Sequence, residues 1–305
     1  MRKWLFVFLS FLMVFFLEVP VTQAASKLDC DVELAYDSTG SQVKLLQTEL
    51  NRVSGCDLEV DGIFGPKTNQ CVVEFQQKNN LVVDGIVGTK TCKKLNSLYT
   101  KELKKKYVVV VADELNVRAG TSTNSSVKAT VQQGEVLQVY GTKKVNGVTW
   151  YKVWSPYTLV DDHYGYVHGD YVKSNALVLD INKQRLTYYR SGKVYMNVPV
   201  ITGMKGSHDT PVGRYTLQAK YKVAGTTLTG NNDDGSVYHA YVQYWMPFIT
   251  SRGIGFHDAS WRSEDEFTEE TYLYDGSHGC VNMRSSDAKK LYRSLKKEID
   301  VVVVE

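Results

Sequence analysis

Apolar residues recur at helical spacing in the first part of the chain, between residues 42 and 98. Two separate runs keep a helix-like spacing of this kind. They consist of Val43, Leu45, Leu46 and Leu50, and of Val72, Val73, Phe75 and Gln76. The pattern of residues 58–68 returns 23 residues later as residues 81–91. Each copy predicts a short extended piece, an Asp-Gly turn and the start of a helix. This stretch therefore predicts a compact unit of three helices.

Beyond residue 106 the pattern changes to short apolar runs separated by turn residues. Residues 108–111, 136–140, 150–153 and 164–167 are predicted strands, and Asn146-Gly147 is a hairpin signal. Residues 99–106 end in three lysines and are predicted to be a linker. From residue 175, alternating apolar positions predict several further strands. One helix, 286–297, is predicted to close the chain, with Asp287 capping its first turn.

The N-terminus has the layout of a secretory signal peptide. Positive charge at residues 2 and 3 precedes an apolar run, 4–17, that is shorter than the roughly 20 residues of a membrane span. Small residues follow, and cleavage is predicted after Ala24. The alternative is an uncleaved anchor. The mature protein is expected outside the cytoplasm, without stable membrane insertion, and the net charge of +3 indicates no nucleic-acid partner.

Five cysteines divide into a cluster and an outlier. Cys30, Cys56, Cys71 and Cys92 lie within about sixty residues, whereas Cys280 stands far away. In a secreted protein this predicts two disulfides and one thiol that is either reactive or a buried apolar residue. Four cysteines allow three pairings; we predict Cys30–Cys92 and Cys56–Cys71.

The chemistry is concentrated in residues 277–282, Ser-His-Gly-Cys-Val-Asn. The thiol of Cys280 needs a base, because a free cysteine with a pKa of ~8.5 is mostly protonated at neutral pH. His278 lies two residues away along the chain. His257 is preferred, because a histidine on a neighbouring strand can face the sulfur. The backbone N–H groups of Gly279 and Cys280 are predicted to form an oxyanion hole.

Three segments resemble known families. Residues 25–98 resemble the peptidoglycan-binding type 1 domain through the doubled Asp-Gly-Ile-x-Gly pattern, and residues 107–174 resemble a bacterial Src-homology-3-like β-barrel. Residues 175–305 resemble the L,D-transpeptidase catalytic domain, by a histidine followed by Ser-His-Gly-Cys-hydrophobic-Asn and by Thr-Pro-Val-Gly-Arg-Tyr at 210–215. The resemblance implies a β-rich, sandwich-like catalytic domain with a small helical part. The fold class is thus multidomain, α and β.

The same resemblance assigns roles to individual residues. Cys280 is the implied nucleophile and His257 the implied base, oriented by the residue that follows it. That residue is Asp258, which is expected to orient the base through its backbone carbonyl, while its carboxylate either does the same work or points to solvent. The expected supporting and substrate-binding residues are Ser277, His278, Asn282 and Arg284.

The implied function is that of a secreted, cell-wall-associated cysteine L,D-transpeptidase that forms a thioester with a peptidoglycan tetrapeptide stem, releases D-alanine and cross-links third residues. Its partners would be stem peptides and glycan, and carbapenem-type inhibitors would acylate Cys280. The alternatives are an L,D-carboxypeptidase, a sortase-like transpeptidase and a non-catalytic wall-binding protein. No cofactor is expected. No motif for metal binding or a phosphate-binding loop is found in the sequence.

Overall fold

The computed structural model describes residues 27–154, 163–232 and 234–305. The predicted signal peptide, residues 1–24, lies outside the described residues, as does most of the loop before β6. Among the described residues, no helix combines the length and apolarity needed to cross a bilayer.

The first segment contains three helices packed around one core. They are α1 (Ser41–Ser54), α2 (Pro66–Lys78) and α3 (Thr89–Lys104). α3 continues well past residue 98, so the segment predicted as a linker, 99–106, is helical through Lys104, and Tyr99 is buried. The apolar side chains at three- and four-residue spacing face the shared core, as the sequence pattern requires.

The sequence repeat corresponds to a repeated hydrogen-bond arrangement. The buried side chain of Gln47 donates to Asp61 and accepts from the N–H of Gly62. Gln76 makes the equivalent bonds to Asp84 and Gly85 in the second copy. Each Asp-Gly turn is thereby tied to the helix before it, which satisfies a buried amide that would otherwise be costly.

Two disulfides close this segment, and both predicted pairings are confirmed. Cys30–Cys92 joins the chain before α1 to α3, and Cys56–Cys71 joins the loop after α1 to α2. Cys280 is the free cysteine among the described residues.

The second segment is a seven-stranded sheet in the order β3-β2-β6-β5-β4-β1-β7. Its strands are β1 (Lys106–Val110), β2 (Glu114–Arg118), β3 (Val127–Gln132), β4 (Val136–Val145), β5 (Val148–Trp154), β6 (Tyr164–His168) and β7 (Val172–Lys173). The β4–β5 hairpin turns at Asn146-Gly147, where both residues have positive φ.

The third segment packs two sheets and a helix around the largest core. The first sheet, in the order β10-β9-β8-β16-β11, contains β8 (Ala176–Asp180), β9 (Arg185–Arg190), β10 (Lys193–Pro199), β11 (Gly213–Leu217) and β16 (Ile299–Val304). The second sheet, in the order β12-β13-β14-β15, contains β12 (Val223–Asn231), β13 (Val237–Ile249), β14 (Ile254–Asp258) and β15 (Val281–Met283). The helix, α4, spans Ser285–Ser294.

Two predictions for the end of the chain are wrong. The last element is a strand, β16, which lies between β8 and β11, so the predicted closing helix is not terminal. The four consecutive valines, 301–304, suit a central strand buried on both faces. Asp287 lies in the first turn of α4, as predicted, but it makes no capping hydrogen bond. It is instead partly buried, and burial raises the pKa of its carboxyl to about 6.

The segments contact one another. Val109 of β1 packs against Val178 and Val302 of the third segment in one apolar cluster. Arg185 of β9 forms an ion pair with Asp57 of the helical segment. The sheet pair that carries the sequence-predicted site is therefore bordered by both accessory segments.

Candidate active site

Cys280 lies at the end of a tight turn, immediately before β15. β15 runs parallel to β14, with Val281 paired to Phe256 and Asn282 paired to His257. The thiol is half-buried and donates to the carbonyl of Gly253 over 3.5 Å. Burial raises the pKa of Cys280 to about 11, against a smaller lowering by a hydrogen bond with the Gly255 backbone. The resting thiol is therefore protonated at neutral pH and needs a base.

The turn before Cys280 is closed by Ser277. Its hydroxyl donates to the carbonyl of Cys280 and accepts from the N–H of Gly279 over 3.1 Å. Gly279 has a φ of +103°, and a Cβ there would lie 3.2 Å from Ile254 Cδ1, so the position requires glycine. The N–H of Gly279 is thus engaged, which differs from its predicted place in an oxyanion hole. The N–H of Cys280 has no hydrogen-bond partner among the described residues.

Thr210 binds the backbone of this turn. In the sequence it stands out only as part of the motif at 210–215. The buried hydroxyl donates to the carbonyl of Gly279 over 2.9 Å and accepts from the N–H of Gly203, also over 2.9 Å. Gly203 packs so closely that a Cβ there would lie 1.8 Å from the carbonyl oxygen of His208. The Thr-Pro motif therefore positions the backbone that carries Cys280.

His257 lies in β14, where all five residues are buried. Its Nδ1 is 3.0 Å from the carbonyl oxygen of Asp258. A carbonyl can only accept, so Nδ1 carries the proton and Nε2 is free to accept one. Burial lowers the pKa of His257, against smaller opposing effects of the Asp258 backbone and charge. The imidazole is therefore neutral and ready to act as a base.

Two tryptophans flank this imidazole. The ring centroid of Trp245, its partner across the β13–β14 pair, is 6.0 Å away, and that of Trp261 is 5.9 Å away. Trp261 is about half exposed, so one side of the buried histidine is bordered by an aromatic surface that solvent reaches.

The group of Asp258 that contacts Nδ1 of His257 is its backbone carbonyl and not its carboxylate. The carboxylate oxygen Oδ1 accepts from the N–H of Tyr244 over 2.7 Å. Of the two alternatives for orienting His257, the geometry favours the carbonyl. Asn282 pairs with His257 across the parallel strands and is buried. Its Oδ1 has no hydrogen-bond partner among the described residues.

His278 packs among aromatic rings. Its ring stacks on Tyr238 of β13, with centroids 5.0 Å apart, and meets His208 edge to face at 4.6 Å. The β12–β13 hairpin therefore reaches the residue next but one to the thiol. A wall of the site is built by these rings, which the sequence did not predict because residues 208, 238 and 278 belong to separate elements.

Arg284 lies outside the immediate surroundings of the thiol. It is buried, it contacts Glu264 through an ion pair and a bond to its carbonyl, and it lies over the ring of Phe267. Arg262 similarly pairs with Glu266 and with Asp275. Ion pairs with two arginines therefore fix the acidic stretch between His257 and Cys280 in place.

Comparison with known proteins agrees with this architecture. The model of the YkuD L,D-transpeptidase catalytic domain matches residues 174–304. The models of the putative peptidoglycan binding domain and the bacterial SH3 domain match residues 39–95 and 113–173. With all three matches in this arrangement, the chain belongs to the L,D-transpeptidase family with a YkuD-type catalytic domain.

Individual relatives cover parts of the chain. The catalytic domain of an L,D-transpeptidase from E. faecium is 33% identical, covers 43% of this chain and 96% of its own, and has a TM-score of 0.38. The same domain acylated by ertapenem is 32% identical, with 43% and 98% coverage and a TM-score of 0.38. An uncharacterized protein in the bpoA1 3′ region of Kitasatospora aureofaciens is 47% identical over 64 residues, 21% of this chain. The chain spans about half (54%) of that curated relative.

Proposed function

We propose that the protein is a cell-wall L,D-transpeptidase in which Cys280 is the nucleophile and His257 the general base. The observation that carries this is the tautomer of His257. Its Nδ1–H is held by the Asp258 carbonyl, which leaves Nε2 unprotonated on the strand beside the cysteine. Burial favours the neutral form of both groups. This supports removal of the thiol proton as the sulfur attacks, and not a preformed thiolate–imidazolium pair.

Acylation then replaces the amide bond to the terminal D-alanine by a thioester bond to Cys280. The thiol turns from the Gly253 carbonyl toward Nε2, and its sulfur attacks the carbonyl carbon of the third stem residue while Nε2 takes the proton. The N–H of Cys280 is the available donor for the developing oxyanion. The imidazolium returns its proton to the amine of the terminal D-alanine, which departs and leaves a thioester on Cys280.

The second half-reaction resolves the thioester. The amine of the third residue of another stem attacks, loses a proton to His257 and displaces the sulfur, which is reprotonated. The product is a cross-link between two third residues. If water attacks instead, the same residues perform an L,D-carboxypeptidase reaction. The aromatic side of the site, at Trp261, is where an acceptor can approach His257 without crossing the buried strands.

We infer that the helical unit and the small β-barrel retain the enzyme on peptidoglycan outside the cytoplasm. The peptidoglycan-binding match and the two disulfides support this placement. Carbapenems are expected to acylate Cys280, since they present a reactive carbonyl to the same nucleophile.

The test is intact-mass spectrometry after exposure to a carbapenem, combined with D-alanine release from tetrapeptide stems. Cys280→Ala should abolish both, because no other group can form the thioester. His257→Ala should keep the fold and slow acylation by roughly 10²–10⁴-fold, as expected for the loss of a general base. Acylation of Cys280→Ala at the wild-type rate would refute the assignment of the nucleophile.

His278→Ala is the matched control for the base. In His257→Ala the pH profile of thiol alkylation should shift upward, because the sulfur then reacts only as a thiolate formed without help. In His278→Ala the profile should keep its position, since that ring packs against Tyr238 and His208. A shift confined to His278→Ala would reverse the roles of the two histidines.

A further inference from the structure

A groove on the helical unit is lined by four lysines and no carboxylate. It has a volume of about 440 Å³, and Lys27, Lys93, Lys101 and Lys104 border it. The three groove lysines that belong to α3 occupy positions i, i+8 and i+11, which places them along one face of the helix. Lys93 and Lys104 are separated by roughly 16 Å at 1.5 Å per residue, so the positive charge forms a line and not a point.

These charges are not neutralised within the described residues. None of the four lysines forms an ion pair there, and all four side chains are exposed. Glu102, the single acidic residue of α3, is bound to Lys105 instead. Lys27 interacts electrostatically with the buried Glu49 but does not form an ion pair with it.

Helix stability explains only part of this arrangement. Lys101 and Lys104 lie in the last turn of α3, where positive charge is favoured by the helix dipole. Lys93 lies near the opposite end and gains nothing from the dipole, and Lys27 lies outside α3, in the chain before α1. The four lysines therefore repel one another, and helix stability does not account for their being close together.

The floor of the groove offers side chains that can form hydrogen bonds. Asn96, Ser97 and Thr100 complete its lining. Asn96 donates through Nδ2 to the carbonyl of Leu28, while its buried Oδ1 has no partner among the described residues. The hydroxyl groups of Ser97 and Thr100 can accept hydrogen bonds from a bound molecule that carries hydroxyl groups.

We propose that this groove binds a linear phosphodiester polymer of the cell wall with hydroxyl-bearing repeats. Phosphates would lie beside the lysines, and hydroxyl groups of the repeat would bond the hydroxyl groups of Ser97 and Thr100. Lysine suits this partner because its ammonium is a point charge that accepts many phosphate geometries along a flexible chain. The groove would hold the enzyme on the wall independently of the chemistry at Cys280.

Other anionic partners fit the groove less well. A bilayer surface calls for an apolar face beside the lysines, whereas the apolar face of α3, with Leu95 and Tyr99, is buried in the core. Single-stranded nucleic acid calls for aromatic platforms, and no aromatic residue lines the groove among the described residues. Stem-peptide carboxylates are matched best by the forked donors of arginine, which the described lining also lacks.

The experiment measures binding of the full-length protein to end-labelled linear polyphosphate, and to Gram-positive walls before and after cold hydrofluoric acid removes their phosphodiester polymers. The groove variant combines Lys93→Gln, Lys101→Gln and Lys104→Gln, and it should bind polyphosphate about 50-fold more weakly at ~0.15 M salt. This value follows because each lost phosphate contact contributes ~0.7 to the slope of log affinity against log salt, and three contacts are lost. The slope of log affinity against log salt should become shallower by about 2. Wild type should prefer untreated over stripped walls.

The control variant, Lys143→Gln with Lys144→Gln and Lys289→Gln, removes the same charge from exposed sites elsewhere. It should bind like wild type, as should Lys→Arg changes at the three groove positions. Circular dichroism verifies that each variant is folded. Equal weakening in both Gln variants, or equal binding of stripped and untreated walls, overturns the proposal. So does groove-dependent binding to vesicles of equal phosphatidylglycerol and phosphatidylcholine without binding to polyphosphate.

Discussion

Thr210→Val tests whether the Thr-Pro motif positions the nucleophile. The substitution keeps the shape of the side chain and removes one hydroxyl, which bonds the carbonyl of Gly279 and the N–H of Gly203. Both bonds are buried, so the valine leaves one donor and one acceptor unsatisfied. At ~1–3 kcal/mol for each buried unpaired group, the catalytic segment should lose about 2–6 kcal/mol of stability.

The catalytic consequence should exceed what unfolding alone produces. Gly279 immediately precedes Cys280, so release of its carbonyl lets the nucleophile drift, and a misplacement of ~1 Å costs roughly 10²-fold in rate. Hydrogen exchange of the amides in β14 and β15 measures the stability of this segment without assuming that a three-segment chain unfolds in one step. The rate of carbapenem acylation, measured by mass on the folded fraction, reports the positioning.

Thr210→Ser is the matched control, because it keeps the hydroxyl and loses only a methyl group. It should restore most of the exchange protection and of the acylation rate. The reasoning fails if Thr210→Val acylates and exchanges like wild type, or if Thr210→Ser is as damaged as the valine variant.

Two further predictions concern the helical unit. Burial raises the pKa of Glu49 to about 7, so the stability of the unit falls as the pH rises from near 4.5 through 7. Glu49→Gln keeps the acceptor for the N–H of Leu28 and removes the buried charge. In urea denaturation it should stabilise the unit by about 3 kcal/mol at pH 8 and by little at pH 4. A gain of equal size at both pH values would contradict the burial argument. Cys30→Ser with Cys92→Ser opens a loop of 62 residues and should lower the stability of the unit by about 4 kcal/mol in the same assay, whereas an unchanged urea midpoint would show that the bridge adds nothing.

Much of the architecture could be predicted because it is encoded by local patterns. The doubled Asp-Gly motif and helical spacing predicted the helices of the first segment, and the spacing of four cysteines led to the correct disulfides. The strand β16 was missed although its signal was present. A run of four valines fits a strand and a buried helix segment equally well, so the local pattern alone does not separate the two.

The sequence by itself determined which chemistry is possible. A lone cysteine, a preceding histidine and glycine at 279 are residue types whose reactivity and flexibility depend on their own atoms, so they can be recognised wherever they stand. Only the tertiary structure decided which hydrogen bond each group makes. The hydroxyl of Thr210 meets Gly279 across 69 residues of chain, and the carboxylate of Asp258 meets Tyr244 while its carbonyl orients His257. Such partners are set by how strands pair, and pairing depends on contacts distant in sequence, which no local spacing records.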